Sequence, residues 1–300
     1  MTNPISPPRA SQSSFAYDVQ SSDLDPGLYI VATPIGNLRD ITLRALDILT
    51  HADIILAEDT RQTVKLLKAY NIETPLTAYH DHNAAKRIPG ILKKLEDGAV
   101  MALVSDAGTP LVSDPGFKLA RDAVNAGIKV VPIPGASAPL AALVTSGLPS
   151  DQFTFAGFLP AKSSGRKAAL ETFKSYSGTL IFFESGSRIE ACLADMIDVL
   201  GTRPAVIARE LTKHYEEIRR GSLADLLTSV QQDPPRGEIV LIIGGREDEG
   251  QWSEADVDKG LRDAIPSMGL KRSSNHIAEL SGWVKRDVYK RALNLKDNAE

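Results

Sequence analysis

The segment LVSDAGTPLVSDPG, Leu103–Gly116, places two carboxylates, Asp106 and Asp114, in a loop studded with glycine and proline. The apolar run before it, Val100–Val104, has the texture of a strand, so the loop begins where a strand ends. Proline fixes φ and glycine permits close backbone approach, a pairing that costs ordering entropy and suits holding a ligand. Two further segments share this chemistry: ATPIGNLRD (Ala32–Asp40) and PIPGASAP (Pro132–Pro139), each following a strand-like run. No strand is followed by G-x-G-x-x-G, and SSGRKAAL lacks both the leading glycine spacing and the Ser/Thr after lysine of a Walker A loop. A carboxylate at Asp106 disfavours phosphate and suits a cationic or hydroxyl-bearing ligand. A tight connection with no ligand is the alternative reading of the same residues.

The elements that must hold these loops are legible in the pattern. Short β-branched runs, LYIVAT, ADIILAE, AVMALVS and IKVVPIP, alternate with the helical patterns ITLRALDILTHA, TRQTVKLLKAY, NAAKRIPGILKKLEDG and GFKLARDAVNAG. Such alternation predicts βαβ units and a mostly parallel sheet, whose ligands sit beyond the carboxyl ends of the strands. The rhythm breaks at GLPSDQ, Gly147–Gln152, which sets the expected boundary between an α/β domain over 26–147 and a second over 148–248. There FTFAGF, GTLIFFES, PAVIARE, YEEIRRG and GEIVLIIGG read as strands, with helices at GRKAALETFKSY, RIEACLADMIDVL and SLADLLTSVQQ. YEEIRRG follows PAVIARE too closely for a helical crossover, so part of the second sheet is expected to be antiparallel, making it mixed.

Residues 253–300 read as three short helices with a helix-turn-helix-like rhythm around SGWVKRD. Lys271, Arg272, Lys285, Arg286, Lys290, Arg291 and Lys296 outweigh Glu279 and Asp287 there, so this segment is either a solvated helical cap or a nucleic-acid contact. Residues 1–25, rich in Ser, Pro and Gln, are expected to form a disordered tail.

The 300 residues are 43% hydrophobic and 24% charged with a net charge of −4, the profile of a globular protein without a global basic footprint. Cys192 is the single cysteine, which excludes an internal disulfide framework and a cysteine-rich zinc site, and it reads as a small buried hydrophobe. No apolar run reaches the length of a membrane span and no signal or transit pattern opens the chain, so the expected location is the cytoplasm, with no membrane partner.

Taken in order, LYIVATPIGNLRDITLRAL, AEDTRQTVKLL, YHDHN, SDAGTPLVSDPG, VVPIPGASA, GFLP, ARELTKHYEE and GEIVLIIGG resemble the rRNA (cytidine-2′-O)-methyltransferase branch of the tetrapyrrole methylase family. The match runs from about Leu28 to Gly245, more weakly through the helical tail. The resemblance implies two α/β domains with S-adenosylmethionine (AdoMet) in the cleft between them, and 2′-O-methylation of a cytidine in the decoding centre of 16S rRNA. It also implies the small ribosomal subunit as partner and a homodimer. Carried over residue by residue, its cofactor contacts fall on Pro34, Gly36 and Asn37, on Asp106, Ala107, Gly108, Thr109 and Pro110, on Ser137 and Ala138, and on Gly237 and Glu238. Relatives usually read ESPHR where this chain has ESGSR, Glu184–Arg188, so a histidine at position 187 is not required here.

A ribose hydroxyl needs a destination for its proton. Glu184, Glu210 and Lys213 are the candidates, with His80 and His82. Alternate histidines without a further ligand motif read as structural residues or RNA contacts, so no metal site is expected. Glu210 beside Arg209 has an ion pair as its plainer reading. Arg188, Arg209 and Lys213, cations near strand ends, suit phosphate positioning, as do Lys271, Arg272, Arg286 and Lys290 in the tail. A metabolite methylase and a non-catalytic RNA-binding module remain the alternatives.

Overall fold

A computed structural model describes residues 24–246 and 252–297. The expected tail over residues 1–25 falls almost wholly outside the described residues.

The first sheet has the order β3-β2-β4-β1-β5, with every pair parallel: β1 (Gly27–Val31), β2 (Ile54–Ala57), β3 (Leu76–Ala78), β4 (Val100–Val104) and β5 (Val130–Ile133). All five residues of β4 are buried, as expected of a continuous apolar run covered on both faces. Helices α1 (Leu43–His51) and α2 (Thr60–Ala69) pack on one face; α3 (Asp81–Glu96) and α4 (Phe117–Asn125) pack on the other. The chain leaves β1 toward β2 and β3, whereas it leaves β4 toward β5 on the opposite side. The carboxyl ends of β1 and β4 therefore flank a topological switch point, where connections diverge and leave a crevice. The three-residue edge strand β3 carried too little pattern to be read from sequence.

The second sheet, order β6-β7-β10-β8-β9, is mixed. Strand β6 (Phe153–Phe158) runs parallel to β7 (Thr179–Ser185), while β10 (Glu238–Ile243) lies antiparallel between β7 and β8 (Pro204–Arg209). Strands β8 and β9 (Glu217–Ser222) form the antiparallel pair that their short spacing requires. Helices α6 (Ser163–Glu171), α7 (Ile189–Leu200) and α8 (Leu223–Gln232) bury one face around Phe182, Leu193, Met196 and Leu241. Each fully buried Leu or Phe there contributes on the order of 1.5–3 kcal/mol.

The other face is covered by α5 (Ala138–Ser146), whose Ala142 and Leu143 pack on Ile181, Val206, Val240 and Ile242. Arg220 of β9 donates to the carbonyls of Thr145 and Ser146, satisfying the helix end. The packing thus passes to the second sheet before α5, ahead of the Gly147–Gln152 turn where composition breaks.

Helices α9 (Glu254–Met268), α10 (Leu270–Ser281) and α11 (Lys285–Asp297) enclose their own core of Val257, Leu261, Ile277, Val288 and Ala292. Trp283 Nε1 donates to the Trp252 carbonyl at 2.7 Å, and Arg291 pairs with Asp258 and Glu254. Among the described residues, no helix is long and apolar enough to cross a membrane.

Candidate active-site cleft

The three Pro/Gly loops of the first sheet are stitched into one rim. Thr33 N–H donates to the Gly108 carbonyl at 2.8 Å, Gly108 N–H returns a bond to Thr33 at 3.0 Å, and the Thr109 hydroxyl reaches the Ala136 carbonyl at 3.2 Å. Leu111 (φ 72°) and Ser113 (φ 65°) hold left-handed conformations that side chains disfavour; strain of this kind collects where a loop is held for function. The facing rim is the β8–β9 connection, which carries the same signature at Glu210 (φ 47°) and Thr212 (φ 65°).

The two rims touch at one end. Asn37 N–H donates to Thr212 Oγ1 at 3.1 Å. A Cβ on Gly36 would lie 2.4 Å from Lys213 Cγ and 2.9 Å from the Leu211 carbonyl, so only glycine admits this contact.

Between the rims lies a cleft of about 480 Å³, walled by Ile35, Val112, Phe158, Phe183, Leu211 and Val240, with Glu58, Asp106, Asp114, Glu184, Lys213 and Glu238 as its charged residues. Burial pushes the Asp114 carboxyl up to about 6, opposed by the Ser105 hydroxyl and helped by Asp106. Glu58 is raised by burial and then by Asp114 and Asp106. Burial also raises Asp106, although the Asp59 N–H bonded to its Oδ1 at 3.0 Å opposes this. On the other wall, burial works against the Lys213 charge, but bonds from its Nζ to Glu238 (2.7 Å) and Glu210 (3.1 Å) outweigh it, and its pKa rises. Glu210 is held low, first by the Glu238 N–H and, against burial, by Lys213.

Of the cofactor residues implied by resemblance, Asp106, Ala107, Gly108, Thr109, Ser137, Ala138 and Glu238 line the cleft. Pro34, Gly36, Asn37, Pro110 and Gly237 are absent from its lining; Gly36 and Asn37 join the lobes, and Gly237, at φ 93°, leaves room for the Glu210 carboxylate. Lys213 faces the cleft, whereas Glu210 stands behind it as a partner of Lys213. The ion pair read for Glu210 forms with Lys213 rather than with Arg209: Arg209, the last residue of β8, pairs with Glu217 opposite it on β9 at 3.2 Å, and Glu210 leaves the strand in a left-handed conformation.

Glu184 lies at the edge of the cleft, but its side chain is buried. It shares the α7 side of the sheet with Phe182, its Oε1 accepts from Ser185 N–H and faces Arg188 Nε at 3.2 Å, and its charge helps to raise the Cys192 thiol. Arg188 also donates to the Leu159 carbonyl at 2.8 Å. His80 N-caps α3 and bonds to Asn83; among the described residues no group of three or more His, Cys, Asp or Glu is arranged to hold a metal ion. Lys271, Arg272, Arg286 and Lys290 are exposed on α10 and α11, remote in sequence from both rims.

Sequence reasoning did not single out Glu58, and it noted Asp114 in the loop without assigning it a role. Glu58 immediately follows β2, so its position at a strand's carboxyl end was the available signal. Asp114 lies in the Leu103–Gly116 loop, but its burial depends on how that loop folds back.

A parallel sheet and a mixed sheet facing each other across one cleft define a two-lobed α/β architecture, distinct from a single doubly wound sheet. The model of the family described as Tetrapyrrole (Corrin/Porphyrin) Methylases matches residues 27–227, and the chain belongs to that family. It is 49% identical over 284 residues to the Ribosomal RNA small subunit methyltransferase I of Mesorhizobium japonicum, covering 94% of this chain and 96% of the relative. Against the protein of the same name from Escherichia coli O157:H7 it is 47% identical over 278 residues, covering 91% and 97%. The solved structure of uroporphyrin-III C-methyl transferase from Thermus thermophilus, complexed with S-adenyl homocysteine, superposes with a TM-score of 0.52 at 19% identity, covering 73% of this chain and 97% of that one. At that identity, the likeness establishes the fold.

Proposed function

We propose that this protein transfers a methyl group from AdoMet to the ribose 2′-hydroxyl of a cytidine in the decoding centre of 16S rRNA, acting on the small ribosomal subunit. The observation that carries the reading is the cleft, whose chemistry fits the cofactor: its volume is in the range of small-molecule sites, its apolar walls suit an adenosine, and its first-lobe carboxylates suit a sulfonium and an ammonium. The names of the relatives supply the rRNA substrate class, and the neighbour complexed with S-adenyl homocysteine supports the cofactor.

Asp106 to Thr109, with Ser137 and Ala138, are the residues proposed to hold AdoMet, which supplies an electrophilic methyl on a sulfonium. The chain's own contribution is alignment and proton management. Closely positioned reactants gain effective molarities on the order of 10⁵ M or more, and the joined rims provide that fixity. Lys213, held protonated by two carboxylates, serves as a fixed positive charge. Asp114, on the cleft wall with its carboxyl pushed up to about 6 by burial, is the proposed acceptor of the hydroxyl proton. Helices α9–α11 are proposed as an RNA contact. A homodimer is proposed on the resemblance and on the exposed apolar side chains Phe117, Leu140 and Val144; a monomeric mass in light scattering would count against it.

The test is incubation with isotopically labelled AdoMet and small subunits from cells lacking this gene, followed by digestion to nucleosides and mass spectrometry. Label in 2′-O-methylcytidine is expected. Label on a base, or none in rRNA, overturns the reading.

A further inference from the structure

A second concavity lies beside the first and shares Ser185 with it. Strand register explains the adjacency. Glu238, the first residue of β10, stands opposite Ser185 of β7, and Ile239 stands opposite Arg209 of β8, so Ser185 and Arg209 flank the start of β10 at the end of the sheet that meets the cleft. The concavity's polar lining residues are Ser185, Ser187, Arg209, Arg219, Asp233 and Arg236.

The charges there are not equally committed. Arg219 is neutralised by Glu217 and Asp233, each at 2.7 Å. Arg209 shares Glu217 at 3.2 Å and spends its Nε on the Arg236 carbonyl at 2.6 Å. The Arg236 guanidinium is exposed and has no ion-pair partner among the described residues. Its backbone is nevertheless held: Pro234 and Pro235 precede it, and Arg209 grips its carbonyl. A free guanidinium on a fixed backbone, beside a partly committed second one and a bonded pair of hydroxyls, matches an anion with several oxygens rather than a single carboxylate.

We propose that this concavity is a subsite for a phosphodiester of the RNA strand, next to the nucleotide whose ribose enters the methyl-transfer cleft. The inference rests on the reading that the substrate is RNA. Arg236 supplies the uncommitted charge, Arg209 its remaining Nη2 beyond the bonds to the Arg236 carbonyl and Glu217, and Ser185 and Ser187, whose hydroxyls bond to each other at 3.2 Å, one further O–H donor. Because phosphate contacts position a strand without reading its sequence, the subsite fixes the register of the target ribose rather than the identity of its base.

The full-length chain carrying Arg236→Ala, Arg236→Glu or Arg236→Lys tests this. With small subunits as substrate, kcat/KM for RNA is expected to fall about tenfold in Arg236→Ala and further in Arg236→Glu, and to recover substantially in Arg236→Lys. The salt dependence should flatten by about one phosphate contact, while calorimetric AdoMet affinity stays unchanged. Binding of a fluorescent oligoribonucleotide gives a readout independent of transfer. Weaker binding by Arg236→Glu supports the subsite even where no methyl is transferred, a result that overturns the proposed reaction alone. Equal binding and equal kcat/KM across a salt titration overturn the subsite.

Discussion

Lys213 and Asp114 face one cleft with opposite tendencies. Lys213 is locked into its charged form by Glu238 and Glu210, so it is poorly suited to receive a proton. Asp114 is pushed up to about 6 by burial, so its charge changes within an accessible range. For a carboxyl raised above its unfolded value of 3.8, the folded state keeps a proton that the unfolded chain releases, so stability declines as pH rises between about 4 and 6. Replacing Asp114 by Asn should raise the melting midpoint by a few degrees at pH 8 and change little at pH 3.5. If Asp114 accepts the proton, the wild-type rate falls as pH drops through about 6. Asp114→Asn should then slow transfer by roughly 10²–10⁴-fold with AdoMet binding retained. A pH–rate profile whose acidic limb survives the substitution assigns the proton elsewhere.

At the scale of elements, α9–α11 form a small bundle with a core of their own, and Arg286 and Lys290 lie exposed one turn apart on α11, away from buried Val288 and Ala292. Removing residues 253–300 should leave AdoMet binding intact and lower methylation of the ribosomal substrate by tenfold or more. Arg286→Ala with Lys290→Ala should flatten its salt dependence. Full activity of the truncated chain across a salt titration would reduce the bundle to a cap.

The elements differ in how far sequence revealed them. The buried runs of β1, β4 and β10 and the amphipathic helices α2 and α4 were legible because burial imposes a period on the chain. The order of strands was not, since inserting β10 between β7 and β8 leaves no local trace. Helix α5 was missed: a helix pressed against a sheet is apolar on most sides and carries little periodicity. For the same reason, the gathering of the loop glycines and Asp106 at one rim could be anticipated, while the role of Gly36 as a contact between lobes required the partner surface to be known.

For the whole molecule, the meeting of the two lobes at Gly36 makes the cleft a joint property. Gly36→Val should force the rims apart and weaken AdoMet by more than tenfold in calorimetry, with far-ultraviolet circular dichroism unchanged because each sheet keeps its own core. Unaltered affinity would show that the cofactor is held by the first lobe alone.

Cys192, the single cysteine, lies with no exposed surface on the core-facing side of α7, and its thiol is pushed up to about 12, chiefly by burial and then by Glu184. Since the thiolate is the nucleophile, the folded protein is chemically silent toward maleimides and alkylating reagents at neutral pH. A cysteine introduced at an exposed position on each rim would therefore be labelled without first removing a native one. A dye or spin pair across the opening would then report directly, in solution and molecule by molecule, whether the gap between the lobes is constant or breathes as ligands come and go.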